Sequence, residues 1–165
     1  MSASKAGSEV DRLVRLIDEA FLRKSWHGTN LHGSIRGMPA GIAAWRSPRA
    51  KRNIVDIVVH CAYWKYTVRR RLRGEKRGSF ALKGSNWFKL AEPLTESVWR
   101  DCVALLDAQH RALRAALEEL PPVDVEHTPP GSKTSNLALI HGIAFHDIYH
   151  AGQIQVLKAM AKRET

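Results

Sequence analysis

The chain has 165 residues, 44 % of them apolar, which fits one compact domain with a core large enough to fold alone and is too apolar for disorder. No apolar run approaches the roughly 18 residues needed to span a bilayer, and the polar start MSASKAGSEVD lacks the apolar stretch of a secretory leader. Lys and Arg outnumber Asp and Glu 26 to 16, a net charge of +10, which favours anionic ligands and disfavours cationic ones.

Residues 1–7 read as a flexible tail ahead of a single domain filling the chain, 1–165. Four long helical patterns follow. Pro39, Pro48, Pro93, Pro121, Pro122, Pro129 and Pro130 all fall outside them. The first is expected from about Glu9 to Lys24. Ser8 serves as its cap, Asp11 completes a capping-box-like pair, and its stripe is Val10, Leu13, Val14, Ile17 and Phe21. A Gly-rich connection, 25–50, comes next.

The second helix is expected from about Lys51 to Arg73, ending at Gly74, with the stripe Ile54, Ile57, Val58, Cys61, Trp64, Val68 and Leu72. Residues 74–94 form a second long link. The third helix is expected from about Glu96 to Leu120. Thr95 is its cap, and its seam is Val103, Leu106, His110, Leu113, Leu117 and Leu120. A Pro-rich link, 121–134, leads to the fourth, from about Asn136 to Ala161, capped by Ser135 or Thr134. Period-two alternation is confined to Val123–Val125, too little for a sheet. The expectation is an all-α four-helix bundle whose long links permit non-adjacent connections.

Chemistry concentrates in FHDIYHAGQI, 145–154. His146 and His150 stand four apart, so on a helix they share one face and can address one ion. Imidazole suits zinc, nickel and iron, but two ligands do not make a tight site. The zinc-protease pattern HExxH fits badly: Asp147 stands where Glu is required, and the short stretch after His150 offers no convincing third ligand. The third is therefore sought upstream. His60, mid-helix in VVHCAYW, is the best candidate, and His110 in the third seam is the second, or a neighbour of the site. His27, His32, His127 and His141 are left out of the ligand set. A lone histidine on an apolar face is commonly a hydrogen-bonded core residue, but burying three without partners is costly. Gly142 and Gly152 suggest close helix approach or room for a ligand. Gln153 could reach the pocket. Asp147 and Tyr149 are candidates, with His110, to orient imidazoles or move protons.

These residues resemble a known family. HGIAFHDIYHAGQIQVLK (141–158) resembles the terminal-helix signature of the DinB-like superfamily, VVHCAYWKYTVRRRLRGE (58–75) its second helix, WHGTNLHGSIRGM (26–38) the connection after its first helix, and ESVWRDCVALLDAQHRALRAAL (96–117) its third. The resemblance implies a four-helix bundle of up-down-down-up order, often dimeric, carrying nickel or zinc on three histidines. Carried over to this chain, the ligands are His60, His146 and His150. Characterised relatives include thiol-dependent S-transferases and a maleylpyruvate isomerase, and others are described only as metal-dependent hydrolases.

The expected function is thus that of a metal-dependent enzyme with a three-histidine site, a thiol-dependent S-transferase acting on small electrophiles, to which the resemblance leads, with a metal-dependent hydrolase as the alternative. Its expected partners are a small-molecule substrate, an anionic low-molecular-weight thiol and a second copy of the chain, in the cytoplasm and away from membranes. A nucleic-acid binder is the rival from another class, through the basic run RRRLRGEKR (69–77) with Arg46, Arg49, Lys51 and Arg52. That run straddles a helix end, where cations suit the helix dipole, and no nucleic-acid motif accompanies it. A metal that only stabilises the fold predicts a closed site with His110 as fourth ligand. GSKTS (131–135) lacks the residue order of a phosphate-binding loop. Cys61 and Cys102 form no CxxC and read as reduced core residues.

Overall fold

The structure is a computed structural model and describes residues 8–164, so the tail expected at 1–7 lies outside the described residues. Helix α1, Glu9–Phe21, begins where Ser8 and Asp11 exchange hydrogen bonds, Asp11 N to Ser8 Oγ at 3.1 Å and Ser8 N to Asp11 Oδ2 at 2.9 Å. That reciprocal cap satisfies two amide donors that a helix start would otherwise leave bare. The helix stops short of Lys24, with the Leu22 amide turning back to the Asp18 carbonyl.

The Gly-rich connection is not irregular throughout. It contains α2, Leu31–Ile35, capped by the Asn30 side chain, and α3, Ala40–Ala44, entered from Pro39. Each is too short to display a helical stripe in sequence. The Ala40 amide donates to Glu96 Oε1 at 2.7 Å, and Lys158 Nζ donates to the Ser34 carbonyl at 3.0 Å, so the connection is tied to both the third and the fourth long helices.

Helix α4, Ile54–Leu72, starts later than the pattern suggested, because Asn53 and Asp56 form a second reciprocal capping box. Helix α5, Glu96–Glu118, starts on the Thr95 hydroxyl, which accepts from Val98 N. A single 3-10 turn, Pro122–Asp124, lies in the Pro-rich link. Helix α6, Asn136–Glu164, opens with Ser135 Oγ accepting from Ala138 N at 3.2 Å and runs past Ala161. Among the described residues there are six α-helices and no strand beyond an isolated bridge between Ser85 and Trp87. None of these helices is long and apolar enough to cross a membrane.

The four long helices pack in a closed cycle: α1 on α6, α6 on α4, α4 on α5 and α5 on α1. One apolar cluster joins α2, α3, the first half of α4, the start of α5 and Ala151 and Ile154 of α6; the other joins α1, the later halves of α4 and α5, and the start of α6. Every member of the α1 stripe read from sequence is buried.

A buried ionic chain accompanies these clusters. Each long helix contributes one member: Asp18, Lys65, His110 and Asp147. Lys65 is wholly buried, donates to Asp147 Oδ2 and lies 3.4 Å from His110 Nδ1. His110 Nε2 is 3.1 Å from Asp18 Oδ1, and Arg114 closes the outer end on Asp18 Oδ2 at 3.1 Å. Phe21 covers the chain, stacking on His110 at 3.9 Å with the Lys65 ammonium 4.7 Å from its ring centre.

The basic run is anchored locally. Arg69 pairs with Glu75 and Arg73 with Glu119, while Arg70 donates to the Glu75 carbonyl and, like Arg69, lies over the Tyr66 ring.

Candidate metal centre

Helix α4 presents His60, and α6 presents His146 and His150 one turn apart. Their Nε2 atoms meet: His146 to His60 at 3.1 Å and His150 to His146 at 3.2 Å. The three residues form one group of mutually close nitrogen atoms suited to an ion. Tetrahedral coordination with Zn–N bonds of about 2.0–2.1 Å would place such nitrogens about 3.4 Å apart, so the spacing is nearly that of a ligand set.

Tautomers follow from the outer nitrogens. His60 Nδ1 lies 3.0 Å from the Asn86 carbonyl, which can only accept, so Nδ1 carries the hydrogen and Nε2 a lone pair. His150 Nδ1 lies 2.7 Å from Gln153 Oε1. The Gln153 amide is oriented by its own donation to Tyr149 Oη at 3.0 Å, so His150 likewise keeps its Nε2 lone pair. Two lone pairs from different helices thus point at the space shared with His146. This is how histidine ligands are oriented in metal sites, and a divalent cation fits the donor set.

Electrostatics agree. Burial disfavours protonation of all three rings, placing His146 at about 3 and His150 at about 4, and moving His60 downward. Neighbouring imidazoles add to the shift at His146 and His150, and the Arg52 cation adds to it at His60. At neutral pH the rings are therefore neutral, as ligands must be.

A second close group, Cys61, His146 and Asp147, lies toward the core. It suits a cation poorly. Burial, with Asp147 nearby, pushes the Cys61 thiol well up, and the Asp147 carboxylate is already paired with Lys65. Both cysteines are free and buried.

The three-histidine group borders a cavity of about 740 Å³ whose walls include Arg52, Ile57, Trp87, Tyr149, Gly152 and Val156. Of the residues proposed from sequence as helpers, Tyr149 lines this cavity, whereas Asp147 and His110 lie in the ionic chain behind it. His110 spends both ring nitrogens on Asp18 and Lys65, so the fourth-ligand role considered for it has no free atom. Neither Gly142 nor Gly152 marks a close helix approach, since a Cβ at either would meet nothing within 4 Å; Gly152 instead opens the cavity wall.

Asn86 and Trp87 carry no mark in the helical patterns, because they belong to the second long link. Asn86 adopts φ 62°, a left-handed conformation that asparagine tolerates better than most residues. Its carbonyl orients His60, and its side chain accepts from Trp64 Nε1 at 3.0 Å. Trp87 lies flat on His60, 3.9 Å between ring centres and 7° between planes. The signal available was the GSNW run, turn residues followed by a large aromatic.

An all-helical chain whose imidazoles converge in a cavity defines a class of helical proteins able to hold a cation on histidines. A family model described as the DinB superfamily matches residues 22–154, and the chain belongs to that superfamily. No curated protein and no solved structure matches it.

Proposed function

We propose that His60, His146 and His150 hold a divalent cation, nickel or zinc, and that the protein is a thiol-dependent S-transferase acting on small electrophiles. The observation that carries this reading is the convergence of oriented Nε2 lone pairs at the edge of a cavity. The chemistry a cation supplies when bound there is acidification of a thiol or of water at an open coordination place. Asn86 and Gln153 hold two of the rings in register, while Trp87, Ile57 and Val156 supply apolar walls for an electrophile. In the net reaction R–SH and R′–X become R–S–R′ and HX.

A hydrolase would use the same centre with water in place of the thiol. Among the described residues no carboxylate lines the cavity to serve as general base. A thiol, several pKa units more acidic than water, depends less on such a base, and this favours the transferase.

The packing cycle of long helices, with the first half of α4 sharing one apolar cluster with the start of α5 and the later part of α6, supports reading the fold as a four-helix bundle of up-down-down-up order. We also place the protein in the cytoplasm on its free thiols, and as a homodimer through an exposed stripe of α6: Phe145, Tyr149, Val156 and Met160.

The test is metal content and thiol consumption with 1-chloro-2,4-dinitrobenzene, for the native protein and His146→Ala. Near-stoichiometric metal and accelerated thiol loss are expected in the first and neither in the second. Absence of metal from native protein would sink the centre; ester hydrolysis without thiol loss would replace transferase with hydrolase.

A further inference from the structure

We propose that Arg52 is the specificity-determining residue of this cavity, binding a carboxylate of the thiol substrate. The inference deepens the transferase reading and rests on it. Arg52 lies at the cavity wall with its guanidinium carbon 4.5 Å from the Trp87 ring centre. Trp87 in turn stacks on His60. Guanidinium, indole and imidazole therefore form one continuous arrangement ending at the candidate metal centre.

Among the described residues the lining of this cavity holds two cations, Lys51 and Arg52, and no carboxylate; Asp56 and Glu92 line the larger cavity on the other side of Arg52 and Trp87. The neighbouring Arg46 is engaged, donating to the Lys51 carbonyl at 2.8 Å and pairing with Asp56 at 3.4 Å. Arg52 forms no ion pair among the described residues, and its one specific contact is the Trp87 face.

Stacking leaves the edge of a guanidinium free while restricting its motion, so the planar donor fork is set in advance for a carboxylate. A single such fork matches one carboxylate in bidentate fashion. The remaining walls are largely apolar. The ligand this wall suits is a small thiol with a carboxylate at one end and a short apolar spacer, its sulfur at the histidines and its charge at Arg52.

The experiment uses cobalt-loaded protein, in which a thiolate charge-transfer band reports binding, and two probes with the same thiol and spacer, 3-mercaptopropionate and its methyl ester. Native protein is expected to bind the acid about tenfold or more tightly than the ester, the scale of one charge-assisted hydrogen bond. Arg52→Gln should lose that preference while keeping its cobalt content and its ester affinity, and Arg52→Lys should retain part of it. Equal affinity for acid and ester in native protein, or an undiminished preference in Arg52→Gln, would overturn the assignment.

Cobalt content separates the two readings. If native protein binds no cobalt, the metal centre fails. The acid and ester are then compared by calorimetry on metal-free protein, where loss of acid binding in Arg52→Gln supports the Arg52 role and its persistence refutes it.

Discussion

Asn86 shows how much of the centre depends on one backbone conformation. Its carbonyl reaches His60 because the residue sits at positive φ, where a β-branched side chain is strongly disfavoured. Asn86→Val is therefore expected to pull the carbonyl away and weaken metal binding about 10- to 100-fold, the usual effect of losing a group that orients a ligand. Asn86→Gly, free to keep the same φ, should weaken it less. Competitive titration with a chromogenic chelator measures both, and equal losses would show that the side chain rather than the backbone matters. At this scale, His146 and His150 were legible because their spacing repeats that of one helix face. Asn86 and Trp87 were not, because their roles depend on where a long link lies against α4.

The long helices are joined by ionic groups on their inner faces. Lys65 falls four after Cys61 and three before Val68, within the apolar stripe of α4, and Asp18 falls between Val14 and Phe21 of α1 in the same manner. A charge inside a stripe was thus visible in the sequence; its partner was not. Lys65→Met would leave Asp147 buried and unpaired, a change that costs about 3–5 kcal/mol in other proteins. A fall in denaturation midpoint is expected, with part of it recovered by adding Asp147→Asn. A Lys65→Met protein as stable as the native one would show that the pair contributes nothing to folding. The exposed stripe of α6 belongs to this scale too. Phe145→Arg, on that stripe but outside the cavity, should convert the proposed dimer to monomer in light scattering, and an unchanged mass would remove that face from the interface.

For the whole molecule, burial of imidazoles makes stability depend on pH. In the metal-free protein His110 and His146 lie at about 3 and His150 at about 4, against 6.5 for an ordinary histidine. Below 6.5 the unfolded chain therefore takes up protons that the folded chain refuses, and stability falls as pH drops toward 4. Asp147 acts oppositely. Burial raises it from 3.8 to about 6 against the pull of Lys65, so over that interval the folded state gains relative to the unfolded one as pH drops. Three histidines outweigh one carboxyl, and the denaturant midpoint in chelator should decline from pH 7 to pH 5. A constant or rising midpoint would contradict the burial of these rings.

By itself, the sequence determined the helical class, the stripes, three of the four long-helix starts and the pair on α6. Each of these is a local matter of period, capping and punctuation within a few turns. His60 was already the best upstream candidate in the sequence; tertiary structure decided that it and not His110 meets that pair, that His110 and Asp147 serve the ionic chain instead, and that Asn86 and Trp87 complete the wall. Those outcomes depend on which faces of distant segments come into contact, and that is settled by burying all the apolar stripes at once.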